Sequence, residues 1–363
     1  MDRKIKIGII GAGYWGPNLV RNFFALDNCE VKYVCDLDES RLGKIKKSYP
    51  YVLLTANVEE LFYDPELDAV AIATPTATHY HLAKKALEMG KHVFLEKPMT
   101  ETSRQAEELI NLAESKNLIL QVDHPFVFYG PVIKIKELID SGELGELYYF
   151  DSQRINLGLI QPDINVLWDL APHDISILNF LYGGKPKSVS VIGTKHITGN
   201  KEELAHMNIK YENGFCAHIH VSWLSPVKLR QMIIAGDKKM IYFDDIAPSE
   251  KIKVYDKSID LSKVEQDTFN PIYRSGDVYS PVYDQTEAVL RECKEFINCV
   301  LYGKKPFSSG EFGLGVVKIL EAADKSLALG GAEIIINSDD IPDDVEKSFL
   351  KGKKQVFFFI DKI

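Results

Sequence analysis

Ile5-Lys6-Ile7-Gly8-Ile9-Ile10-Gly11-Ala12-Gly13-Tyr14-Trp15-Gly16-Pro17-Asn18-Leu19 decides the fold. A short apolar run meets three glycines spaced G-x-G-x-x-G, and a helical pattern follows. Each glycine answers a physical need. Gly11 permits a tight turn, Gly13 lets backbone approach a pyrophosphate, and Gly16 lets a helix lie close on the strand. Tyr14 and Trp15 belong to the same turn. The helix N-terminus then offers unpaired N–H groups and a positive dipole end to phosphates. Asp36 closes the next strand, Val31–Cys35, 20 residues after Gly16. A carboxylate there accepts bonds from a ribose and repels a 2′-phosphate, which favours NAD over NADP. Arg41 and Lys44 lie close enough to blur that preference.

Basic residues ahead of the apolar run give the N-terminus a superficial likeness to a secretion signal. The run is short and passes into glycines with no small-residue cleavage site, so it reads as a first strand. Outward from it, apolar runs alternate with helical patterns: Pro17–Leu26, Ser40–Ser48, Asp68–Ala73, Thr78–Met89, His92–Leu95, Ser103–Ser115 and Leu118–Val122. Near-continuous apolar strands in a βαβα rhythm predict a doubly wound parallel sheet, buried on both faces. After Asp123 the texture changes. A helix over Asn165–Tyr182, interrupted near Pro172, precedes extended segments at Ser188–Gly193, His206–Tyr211, Phe215–Ser222, Leu229–Ala235 and Lys239–Phe243. Helices are expected at Pro281–Tyr302 and Gly310–Leu329. The fold class is α/β: a Rossmann domain over 1–122, then an α+β domain over 123–335 with a large, mostly antiparallel open sheet. The tail 336–363, with Phe357-Phe358-Phe359 among lysines, has no assigned role; an edge strand and a subunit contact are two readings of it.

In 363 residues, 43 Lys and Arg stand against 52 Asp and Glu, a formal charge of −9. A mildly acidic chain is not a general nucleic-acid binder. No apolar stretch reaches the roughly 20 residues that span a bilayer. Five cysteines form no CxxC pair and no even framework, which suits a reduced, cytoplasmic protein. His218 and His220 share one strand face but have no evident third ligand, so no metal site is expected.

Three short motifs carry chemistry. Ala73-Thr74-Pro75-Thr76-Ala77-Thr78-His79 sits where a fourth strand would end, at the carboxyl edge where dinucleotides bind. Thr78 is a candidate cap for the following helix, and His79 packs near the cofactor. Glu96-Lys97-Pro98 ends the next strand at the same edge. Asp169 and His173, at i and i+4, face one side of a helix, where the carboxylate orients the imidazole and raises its basicity. Asp174 faces elsewhere.

In this order, the glycine turn, A-T-P-x-x-x-H, E-K-P and D-x-x-x-H resemble the Gfo/Idh/MocA oxidoreductases over roughly Ile5 to Leu329. The resemblance implies an N-terminal NAD(P)-binding domain and a C-terminal domain whose open sheet serves substrate and subunit contacts. It also implies that Lys97 touches the reacting hydroxyl, His173 takes its proton, and Asp169 binds hydroxyls or orients His173. Gly11, Gly13, Tyr14, Trp15, Gly16, Asp36, Thr74, Pro75, Thr76, His79, Glu96 and Lys97 would hold the cofactor. His124, Arg154, Asn156, Gln161 and Asn165 would join Asp169 and His173 at the substrate, with Arg154 suited to a sugar carboxylate or a diphosphate.

Many members place glycines shortly before the aspartate; this chain has Asp163-Ile164-Asn165-Val166-Leu167-Trp168-Asp169 instead. That departure, with W-D-L-A-P-H-D and G-Y-W-G-P-N-L, is similar to members acting on nucleotide-linked sugars in surface-polysaccharide synthesis, such as UDP-N-acetyl-hexosamine or hexuronate 3-dehydrogenases. A dehydrogenase of free sugars or cyclitols and a non-catalytic NAD-binding regulator stay open as alternatives. A cytoplasmic homodimer or homotetramer is expected, with a small-molecule substrate and neither nucleic acid nor membrane as partner.

Overall fold

A computed structural model describes residues 3–197, 199–260 and 271–336. In chain order the elements are β1 (Ile5–Ile10), α1 (Gly16–Phe24), β2 (Cys29–Cys35), α2 (Glu39–Ser48), β3 (Leu53–Thr55), α3 (Glu59–Phe62), β4 (Ala69–Ile72), α4 (Thr76–Glu88), β5 (His92–Glu96), α5 (Ser103–Ser115) and β6 (Leu120–Asp123). They continue with α6 (Gly130–Asp140), β7 (Leu147–Leu157), α7 (Val166–Tyr182), β8 (Pro186–Thr194), β9 (Leu204–Tyr211), β10 (Cys216–Ser222), β11 (Leu224–Gly236), β12 (Met240–Asp244), β13 (Ile252–Asp260) and β14 (Ile272–Tyr279). The last are α8 (Ala288–Tyr302), α9 (Gly310–Ala328) and β15 (Ile334–Ile335). Apart from Ile336, the C-terminal tail lies outside the described residues.

The chain forms two compact units: Met1–Phe128 with Thr286–Lys318, and Tyr129–Gln285 with Ile319 onward. The first unit holds a six-stranded sheet in the order β3-β2-β1-β4-β5-β6, parallel throughout. Strand order reverses between β1 and β4, the crevice where doubly wound sheets bind ligands. Its strands are apolar because helices cover both faces; every residue of Ala69–Ile72 is buried. Leu19, Val20 and Phe23 of α1 pack on Ile5, Ile7 and Ile9. Val289, Cys293, Phe296 and Ile297 of α8 enter the same core. That burial places α8 in the first unit, where a linear division near residue 123 puts it in the second. The Phe23, Phe94 and Phe296 rings meet edge to face, with centroids 5.5–6.2 Å apart. The helix expected from Pro281 begins only at Ala288.

The second unit holds a nine-stranded sheet in the order β14-β13-β12-β11-β7-β10-β9-β8-β15, antiparallel except where β10 pairs with β7. One face buries Phe150, Ser152 and Arg154 of β7 with Ala217, Ile219 and Val221 of β10, and α7 packs on these strands. The helix runs through Pro172 without the expected interruption. Trp168, Ala171, Ile175 and Leu178 are buried around the proline, and that packing outweighs the one lost backbone donor. Strands β13 and β14 escaped the sequence reading because β14 is exposed along its whole length and shows no apolar alternation. Among the described residues no helix is long and apolar enough to cross a membrane.

Candidate active site

The first unit builds a candidate cofactor site. Gly11 has φ +97°, and a Cβ there would lie 2.3 Å from the Ala73 carbonyl oxygen. A Cβ on Gly16 would lie 2.0 Å from the Gly11 oxygen. Both positions therefore require glycine. Gly13 faces a cavity of about 620 Å³, lined also by Tyr14, Pro17, Arg41, Ile45 and Tyr49. No side chain caps the start of α1, and its first turn carries no acid, so its N–H groups are available to phosphates. Asp36 accepts from the Ala12 N–H at 2.6 Å and the Asp38 N–H at 2.8 Å, which fixes its carboxylate beside the glycine turn. Each oxygen keeps a lone pair for a ribose hydroxyl. Arg41 leans on Asp38 at 3.3 Å and Asp36 at 3.6 Å. The residues present fit NAD.

Helix α4 starts at Thr76, two residues before the expected Thr78 cap. Thr78 lies inside the helix; its hydroxyl donates to the Pro75 oxygen and meets that of Thr74 at 2.7 Å. His79 is buried, its Nε2 2.9 Å from the Thr74 oxygen and its Nδ1 2.9 Å from the Pro98 oxygen. This one ring joins the loops after β4 and β5. Burial pushes its pKa down, favouring neutral imidazole. Glu96 ends β5 and Lys97 follows it, both half-buried.

The second unit presents Asp169 and His173 on successive turns of α7. Asn165 is the N-cap of that helix, its Oδ1 accepting from the Trp168 N–H at 3.1 Å. Its amide donates to Asp324 at 3.1 Å, and the Trp168 indole donates to the same carboxylate at 2.6 Å. Trp223 Nε1 donates to Asp169 Oδ2 at 2.9 Å. Spacing does not reveal Trp223 and Asp324, because they reach α7 from other elements. Asn156 and Gln161 are half-buried on β7 and the loop after it.

Two expected substrate contacts are otherwise engaged, and a third is buried. Arg154 is buried and forks onto Asp174, Nε at 2.7 Å and Nη2 at 3.3 Å; the bidentate grip proposed for a ligand serves a core ion pair. Asn165 serves the helix cap. His124 is buried edge-on against Phe312, and burial, then the Lys97 charge, pushes its pKa down to about 3. On the other sheet, His206 and His220 stack with centroids 4.1 Å apart. Among the described residues no group of three or more ligating side chains could hold a metal.

A glycine turn at the switch point of a parallel sheet, backed by Asp36, has the form of a dinucleotide-binding site. Residues 5–124 match the family described as "Oxidoreductase family, NAD-binding Rossmann fold", and residues 132–242 match the "GFO/IDH/MocA C-terminal domain". The chain belongs to the Gfo/Idh/MocA family, as an NAD-binding dehydrogenase of CH–OH groups. Over 91% of this chain and 96% of its own length, an uncharacterised oxidoreductase of Bacillus subtilis, YrbE, is 26% identical. The UDP-N-acetylglucosamine 3-dehydrogenase of Acidithiobacillus ferrooxidans is 24% identical over 86% of this chain and 94% of its own. The crystal structure of GenD2 from gentamicin A biosynthesis, in complex with NAD, superposes with a TM-score of 0.79 at 20% identity, covering 93% of this chain and 97% of that one.

Proposed function

We propose that this protein transfers hydride between NAD and a secondary alcohol of a nucleotide-linked sugar, a UDP-amino sugar or UDP-uronate. The observation that carries the substrate class is the nearly end-to-end relationship to a UDP-N-acetylglucosamine 3-dehydrogenase. In this reading His173 takes the hydroxyl proton, and Asp169, held by Trp223, binds a neighbouring hydroxyl or orients the imidazole. The Lys97 ammonium stabilises the developing alkoxide, an effect worth a few kcal/mol per well-placed donor. NAD, when bound, supplies the hydride acceptor. Asn156 and Gln161 are the remaining candidates for substrate contact.

Appearance of NADH absorbance tests the reading against UDP-N-acetylglucosamine, UDP-N-acetylglucuronate, UDP-glucose, glucose and myo-inositol. Turnover is expected only with a UDP-sugar, and Lys97→Met and His173→Ala are each expected to lower kcat by about 10²–10⁴-fold. Turnover confined to glucose or inositol would refute the substrate class. Unchanged kcat in both variants would refute the residue roles.

A further inference from the structure

Within the first unit three carboxyl groups meet at the ends of β5, β6 and α8. Glu96 and Asp123 are paired neighbours across the parallel β5–β6 ladder. Glu292 reaches the same point from α8, its Oε1 accepting the His124 N–H at 2.8 Å. Asp123 and Glu292 are wholly buried. Asp123 Oδ2 accepts the Trp15 indole N–H at 2.8 Å, so the cluster touches the glycine turn directly. Asp123 Oδ1 and Glu292 Oε2 are sealed from solvent, and no donor reaches either atom. Two buried carboxylate oxygens can face each other only if a proton lies between them.

The surrounding charges agree. Burial is the largest influence on both Glu96 and Glu292, and the Asp123 charge is the next; together they hold both carboxyls well above the usual range. The Lys97 charge favours ionisation of Glu96. From β6, neutral His124 adds no positive charge. On α8, Glu295 adds further negative charge, and the thiol of Cys293 is pushed up by burial. One ammonium group does not balance three ionised acids in a dry site.

We infer that Glu96, Asp123 and Glu292 share protons within this cluster, and that Asp123 positions the glycine turn through Trp15. Asp123 is then a positioning residue. Neither the shared protons nor the Trp15 tether depends on the reaction proposed above.

Infrared difference spectra of the full chain, wild type against Glu292→Gln at neutral pH, test the protonation. A carbonyl stretch of un-ionised carboxylic acid is expected in the wild type and reduced in the variant. The same pair of spectra in a Glu295→Gln background removes the Glu295 carboxyl, which also acts on Glu292. Titrating NAD by quenching of tryptophan fluorescence tests the tether. Glu292→Gln is expected to bind as the wild type does, since its amide N–H replaces the acid O–H. Asp123→Leu is expected to bind about tenfold more weakly, because the Trp15 donor loses its acceptor, and Asp123→Asn is expected to restore binding. No carboxylic-acid band, or one unchanged in Glu292→Gln, overturns the shared protons. Wild-type affinity in Asp123→Leu overturns the tether. Silence of the dehydrogenase panel with these signals intact would count against the reaction alone.

Discussion

Asp169 accepts from an indole 54 residues away in the chain, and that bond helps set which way its carboxylate points. Trp223 is almost wholly buried, so its N–H is fixed in place by packing. Trp223→Phe keeps most of the bulk and removes the N–H. A hydrogen bond to a charged acceptor contributes about 1.5–3 kcal/mol, so kcat is expected to fall by tenfold or more. NAD affinity should not change, because the glycine turn and Asp36 belong to the other unit. Steady-state kinetics beside a direct NAD titration separate the two effects, and a kcat equal to wild type would dismiss Trp223 as a positioning residue. Asp36 works by the same logic at shorter range. Its oxygens are oriented by the Ala12 and Asp38 amides, so the acid read from spacing alone also has a defined direction.

Helix α8 shows what an element contributes from a distance in sequence. It carries Cys293, Phe296 and Ile297 into the core beneath β1 and α1, and its Glu292 and Glu295 cap the backbone N–H groups of His124 and Phe307. One face of α8 therefore completes the apolar core while two of its acids close loops. Phe296 stands at the centre of the aromatic trio and is fully buried. Phe296→Ala is expected to destabilise the fold by about 3–5 kcal/mol through lost transfer energy and the cavity left behind. Urea unfolding measures this, and a loss under about 1 kcal/mol would show that α8 is not part of the first unit's core. Tyr302, at the other end of the same helix, is exposed and serves as the control.

At the scale of the whole molecule, stability should depend on pH through Glu295. Burial raises its pKa to about 7, although the Phe307 N–H opposes the shift. A buried acid with a raised pKa binds its proton in the folded state while the unfolded chain has released it. The Glu295 contribution is therefore greatest below the ordinary glutamate range, falls as pH rises to about 7, and is constant above. Its drop is roughly 3–4 kcal/mol. Glu295→Gln should lessen the slope below pH 7. Unfolding midpoints at a series of pH values check it, and an equal slope in wild type and variant would remove Glu295 as the cause.

Much of this was legible in the residues. Periodicity located β1, β4, α5 and strands β8 to β12 of the second sheet, because strands covered on both faces must be apolar and strands covered on one face must alternate. The glycine spacing located the turn, because only glycine tolerates the approaches at Gly11 and Gly16. Asp169 and His173 share a face because a helix repeats every 3.6 residues. What the tertiary structure decided are the partners that local pattern does not encode. Arg154 has the chemistry of a diphosphate ligand, yet β7 and α7 bring Asp174 against it and bury the pair. His124 stands at the expected crossing point, yet Phe312 seals it. Trp223 and Asp324 come to α7, and Glu292 to the end of β6, from distant elements. The sequence by itself determined the periods and the turns, which depend on neighbours along the chain. Only the fold decided which polar groups meet, because hydrogen bonds and ion pairs depend on proximity in space.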